Sequence, residues 1–142
     1  MALRLLHSAD WQIGRIYSQF EPDDAAALFE ARFLAVERLA TLAIEHSVDA
    51  VLVAGDVFDA QTVSARSIRK LFNAMEGYRG PWVMIPGNHD NTTRLGFGER
   101  AFGLAGIHIR GSIKPERAGA PFFLDFKDGP LAVVAVPFLD PG

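Results

Sequence analysis

The chain has 142 residues, 49% of them hydrophobic, and no cysteine; it can enclose one core, but a disulfide framework and any thiolate-held zinc are excluded. No apolar run approaches the roughly 18 residues that cross a bilayer, and the first residues lack the long apolar segment of a secretory signal, so a soluble, cytoplasmic protein is expected. The net charge of −3 hides a split, with 4 basic and 10 acidic side chains in residues 1–60 against 9 and 4 in residues 61–117; a metal site acting on a polyanion needs such opposite partners, although an ordinary mixed surface gives the same totals.

Leu3 to Leu6, broken only by Arg4, is a short apolar run. "DAVLVAG" at 49–55 and "PWVMIPG" at 81–87 are two more, and each reads as a strand buried on both faces, the pattern of a parallel sheet. Between the first two, "PDDAAALFEARFLAVERLATLAIEH" repeats Phe29, Phe33, Val36, Ala40 and Ala43 at three- and four-residue steps after an acidic start containing proline. That spacing predicts a long amphipathic helix. A second helix is predicted in "VSARSIRKLFNAMEG", preceded by Thr62, striped by Ile68, Leu71, Phe72 and Met75, and ended at Gly77. The first 85 or so residues therefore read β-α-β-α-β, and right-handed crossovers make the sheet parallel. Beyond them, Ile107 to Arg110 is a brief strand, and "FFLDFKDGPLAVVAV" is a hairpin around an Asp-Gly turn signal. No repeat, low-complexity segment or linker divides the chain, which is taken as part of a single domain over 1–142.

Ligands of parallel sheets collect at the carboxyl ends of strands. Three strand ends carry polar groups there: Asp10 in "SADWQ", Asp56 and Asp59 in "AGDVFD", and Asn88, His89 and Asp90 in "PGNHD". Singly, each has a plain explanation as a cap or turn. Together they form an edge of hard oxygen ligands with one imidazole, suited to Mn2+ or Mg2+ and admitting Fe or Zn. Asp56, in the middle strand, is positioned to bridge two ions, as in two-metal phosphoester hydrolysis.

These three motifs in this order resemble the calcineurin-like metallophosphoesterases. Within that superfamily "LHSADWQIG", "VLVAGDVFD" and "IPGNHDNTTRLGFGERAFGLAGIHIRG" are most similar to the SbcD-type DNA-repair exonucleases. The resemblance implies a layered α/β metallophosphoesterase fold and a two-metal phosphodiester hydrolase acting on DNA. It makes Asp10 a ligand of the first ion, Asp56 the bridge and Asn88 a ligand of the second, with Mn2+ the expected metal. His89 then contacts the phosphate and protonates the leaving sugar oxygen, a role that a pKa near 6.5 permits. Asp59 orients His89 or a ligand by hydrogen bonding.

Two departures from the superfamily pattern matter. Gln12 stands where a histidine is usual, two residues after the first aspartate. Its carbonyl either ligates the metal as a weaker neutral oxygen or serves as a spacer while water fills the position. Family members also complete both metal sites with later histidines, one alone and a pair in a Gly-His-x-His motif, and residues 1–142 contain no such motif. His7, His46 and His108 are read instead as core, helix end and strand surface. The chain thus reads as the amino-terminal half of a nuclease domain, with little or no turnover expected of it alone. Exposed sheet edges such as "LAVVAV" lead to an expectation of self-association.

Arg15, Arg94, Arg100, Arg110, Lys114 and Arg117 follow the motifs and are candidates for phosphate contacts, as equally they are for solvated surface. The resemblance implies DNA as substrate and an SbcC-like ATPase as the partner of the longer protein. Two other readings stand beside it: a phosphoesterase acting on nucleotides or phosphoproteins, and a non-catalytic, metal-poor scaffold.

Overall fold

The structure, a computed structural model, describes residues 2–59, 63–85, 107–109 and 122–134. Its elements run β1 (Leu5–Ser8), α1 (Pro22–Glu45), β2 (Ala50–Ala54), α2 (Ala65–Met75), β3 (Trp82–Ile85), β4 (Ile107–Ile109), β5 (Phe122–Phe126) and β6 (Gly129–Val133). The predicted β-α-β-α-β start is present. All four strands of the main sheet are parallel in the order β1-β2-β3-β4, registered as Leu5 with Ala50, Val51 with Trp82, and Trp82 with Ile107.

Sequential order with right-handed crossovers puts successive helices on one face of a sheet, and here α1 and α2 pack on each other. Strand alternation then assigns the side chains. Val51, Val53, Trp82 and Met84 face the helices and join Phe33, Val36, Ala40, Leu71 and Met75 in the main core. Ala50 and Val83 point the other way and are covered by Leu124 of the β5–β6 hairpin, with Leu52, Phe126, Leu131 and Val133 packed around them. The result is three layers: helices, parallel sheet and hairpin.

The helix α1 begins at the predicted proline, whose missing N–H costs nothing at the first turn, and Asp23 and Asp24 sit where the helix dipole favours carboxylates. Phe33, Val36, Ala40 and Ala43 of its stripe are buried and Phe29 is partly so. The cap of α2 is Ser64, whose hydroxyl accepts from the Ser67 N–H at 3.1 Å; Thr62, preceding the predicted helix, lies outside the described residues. Gly77 follows the end of α2, and a Cβ added there would stand 3.4 Å from that of Ala40, so its smallness serves the approach of the two helices.

Two expectations need correction. Strand β1 is not buried on both faces: it is the sheet edge, and Leu5 and His7 are exposed while Leu6 is half-buried. His7 is therefore a surface residue and not part of the core, because the hairpin shields the β2–β3 side of that face and leaves β1 open. The hairpin forms as expected, yet its two loop residues are Lys127 and Asp128, and the positive φ of the turn falls on Gly129 (123°). His46 caps the end of α1 as read, and among the described residues no helix is long and apolar enough to cross a membrane.

Candidate metal centre

The loop after β1 alternates sharply. Trp11 and Ile13 are buried, whereas Asp10 is exposed and Gln12 half-buried. Trp11 is pinned from three sides: its indole donates to Ser8 Oγ at 2.9 Å, its ring meets Trp82 edge-on at 5.9 Å, and its carbonyl accepts from Arg32 at 3.0 Å. Edge-to-face aromatic pairs add about 0.5–1.5 kcal/mol beyond burial. Anchoring the apolar residues leaves the polar residues between them available at the sheet edge.

The loop after β2 runs alongside, and the two are laced by backbone hydrogen bonds. Asp10 N–H donates to the Gly55 carbonyl at 3.0 Å, Gln12 N–H to the Asp56 carbonyl at 2.9 Å, and Ile13 N–H to the Val57 carbonyl at 2.8 Å. Asp59 N–H returns to the Ile13 carbonyl at 3.1 Å, closing a parallel bridge between Ile13 and Phe58. Asp10, Gln12, Asp56 and Asp59 are thereby brought onto two adjacent backbones. Asp56 and Asp59 are both half-buried.

Asp10 (φ 56°), Gln12 (φ 48°) and Asp56 (φ 51°) all adopt the left-handed conformation, beside Gly14 (φ 90°) and Gly55 (φ 87°). Each non-glycine residue in that region costs roughly 1–2 kcal/mol, and Asp tolerates it best among the charged residues. Ser47 (φ 50°) is also left-handed, but it ends α1, where Val48 N–H reaches back to the Ala43 carbonyl at 2.8 Å. The strain at Asp10, Gln12 and Asp56 has no such helix to terminate.

As a donor set, two carboxylates and one carboxamide oxygen on laced loops fit a hard divalent cation. Gln12 is the weakest member, because its Oε1 already accepts from Arg15 Nη1 at 2.6 Å. A guanidinium on the same oxygen opposes a second cation by like-charge repulsion. Among the described residues, no three His, Cys, Asp or Glu side chains gather into a metal-binding group. Asn88, His89 and Asp90 lie outside the described residues, as do Arg94, Arg100, Arg110, Lys114 and Arg117.

Sequence reasoning missed Tyr17 and Arg32. Arg32 donates to the Tyr17 hydroxyl, its guanidinium lies 5.5 Å from the Tyr17 ring centre, and Arg15 lies 5.9 Å from the same ring. A signal was present: Arg32 is three residues after Phe29 and four before Val36, on the buried stripe of α1, where a guanidinium must find partners.

A model of the calcineurin-like phosphoesterase family matches residues 3–130 of the chain. Among known proteins, the chain is similar to the SbcD component of the nuclease SbcCD from Rhodobacter capsulatus, with 34% identity over 116 residues, covering 78% of this chain and 27% of that protein. It is similar to the protein of the same description in Escherichia coli, with 30% identity over 146 aligned positions, 98% of this chain and 34% of the relative. In Bacillus subtilis the corresponding figures are 29% over 113 residues, 77% and 27%. The chain thus spans about a third or less of the length of these relatives. The family match covers most of the sequence, including the β1 and β2 strand ends, and the chain belongs to the calcineurin-like phosphoesterase family.

Proposed function

We propose that this chain is the amino-terminal part of a single metallophosphoesterase domain that hydrolyses DNA phosphodiesters with divalent metal, Mn2+ being the expected ion. The observation that carries the reading is the lacing of the Asp10 and Asp56 loops, with both aspartates held left-handed at neighbouring parallel strand ends. The names of the SbcCD relatives supply the substrate class and an SbcC-like ATPase as partner of the longer protein.

In this reading Asp10 holds the first cation, Asp56 bridges and Asn88 holds the second. Gln12 contributes at most its remaining lone pair. Bound divalent cations supply charge neutralisation at the phosphate and acidify water for in-line attack. His89 contacts the phosphate and delivers a proton to the departing sugar oxygen, and Asp59 orients its neighbours by hydrogen bonding. The two carboxylates must stay ionised, which their exposed and half-buried positions favour.

The test uses a longer form of the protein containing residues 1–142. Mn2+-dependent degradation of linear DNA, lost in Asp10→Ala and Asp56→Ala, is the expected result. Hydrolysis of para-nitrophenyl phosphate esters without any action on DNA would redirect the reading to nucleotides or phosphoproteins. A folded protein that binds no metal would leave only a scaffold. Self-association and a cytoplasmic setting accompany the proposal.

A further inference from the structure

Beside the strand-end aspartates, Arg15 and Arg32 flank one aromatic ring, that of Tyr17, at 5.9 and 5.5 Å. Both arginines are half-buried, and neither belongs to an ion pair: the ion pairs among the described residues join Arg38 to Glu45 and Lys70 to Glu30. In a stretch where acidic side chains outnumber basic ones 10 to 4, two of the four cations converge here without a carboxylate. Arg32 has a structural assignment, since it donates to the Trp11 carbonyl and to the Tyr17 hydroxyl. Arg15 has less to do. Its one described side-chain hydrogen bond goes to Gln12 Oε1, which leaves most of its five donors unassigned.

We propose that Arg15 is a phosphate-binding residue of the nucleic-acid substrate, and that Gln12 and Tyr17 are positioning residues that hold its guanidinium beside the carboxylate edge. This rests on the reading of the chain as a DNA phosphodiesterase. Several observations support it. Gln12 is three residues before Arg15, and besides the side-chain bond the Arg15 N–H donates to the Gln12 carbonyl at 3.2 Å, forming a tight turn. The left-handed backbone of Gln12 and Gly14 folds that turn back on itself. The Tyr17 face receives the cation, and Arg32 fixes the Tyr17 hydroxyl from the helix. A guanidinium oriented in this way loses little freedom on meeting a phosphate, with which it makes paired N–H···O bonds. Gln12 then stands where a histidine is usual in the family because it serves an arginine and not the metal.

The test is fluorescence anisotropy of a short labelled DNA duplex with the 142-residue chain in EDTA, titrated between about 50 and 200 mM salt, so that neither metal nor turnover enters. Arg15→Ala is expected to weaken binding several-fold and to lower the salt slope by about one. Arg15→Gln, which keeps a hydrogen-bonding partner for Gln12 without the charge, is expected to do the same and guards against misfolding of the alanine variant. Gln12→Ala should weaken DNA binding more mildly while leaving Mn2+ affinity unchanged by calorimetry. Wild-type affinity and slope in both Arg15 variants overturn the assignment of Arg15 and leave the phosphodiesterase reading standing. Loss of Mn2+ affinity in Gln12→Ala overturns the assignment of Gln12. A wild-type chain that binds no DNA at low salt overturns the substrate reading, and the Arg15 proposal with it.

Discussion

Asp10, Gln12 and Asp56 share a backbone conformation that each pays for in strain, and the hydrogen bonds from Asp10 to Gly55 and from Gln12 to Asp56 hold it in place. The conformation at Gly14 is similar (φ 90°), and a Cβ there would meet Val63 Cγ2 at an ordinary 3.5 Å. The penalty for Gly14→Ala is therefore backbone strain alone, and a loss of about 1–2 kcal/mol in urea unfolding is expected; an unchanged midpoint would show that the loop relaxes. Gln12→His replaces a neutral oxygen engaged by Arg15 with an imidazole nitrogen, so tighter Mn2+ binding is expected by calorimetry. Equal or weaker affinity would show that position 12 does not face the cation. The aspartates were legible in the sequence because they end apolar runs. The Arg15–Gln12 contact was not, because it depends on a left-handed turn that residue type alone does not dictate.

Elements follow the sequence where burial and periodicity agree. Helix α1 starts at Pro22, as its acidic, proline-containing start indicates, and β2 and β3 lie within their predicted apolar runs. Strand β1 lies at Leu5–Ser8, ending two residues beyond the apolar run, because an edge strand with one open face accepts His7 and Ser8. Sequence pattern could not foresee that edge position, which is set by strand order. Nor did it single out Tyr78, the post that joins α2 to the sheet: its hydroxyl donates to the Val48 carbonyl at 2.8 Å, its ring meets Trp82 at 5.8 Å, and its carbonyl accepts the Trp82 indole N–H at 3.0 Å. Burial, and secondarily the charge of Asp49, push its phenol up to about 12. The native state then holds its proton after the unfolded state has lost it at about 10, so stability falls as pH rises from about 10 toward 12. Tyr78→Phe is expected to cost about 1 kcal/mol at neutral pH and to lack this alkaline decline, as measured by urea unfolding at both pH values. A parallel decline in both proteins would assign it to other groups.

At the scale of the molecule, the three layers leave apolar surface on the hairpin side, where Leu3, Leu5, Phe123 and Val134 are exposed and β1 offers an unpaired edge. Exposed apolar side chains beside an open strand edge favour association, and light scattering of the 142-residue chain is expected to give a mass above 15.5 kDa that rises with concentration. A monomer throughout would show that the edge is adequately protected. The same layering brings the β1 and β2 strand ends to one rim, where the chemistry of the family is proposed to reside. The most direct test of that rim is calorimetric titration of Mn2+ into the chain and into Asp56→Ala. Stoichiometric binding in the first and none in the second is expected if the laced aspartate loops form a metal site. Equal binding in both, or binding in neither, would contradict it.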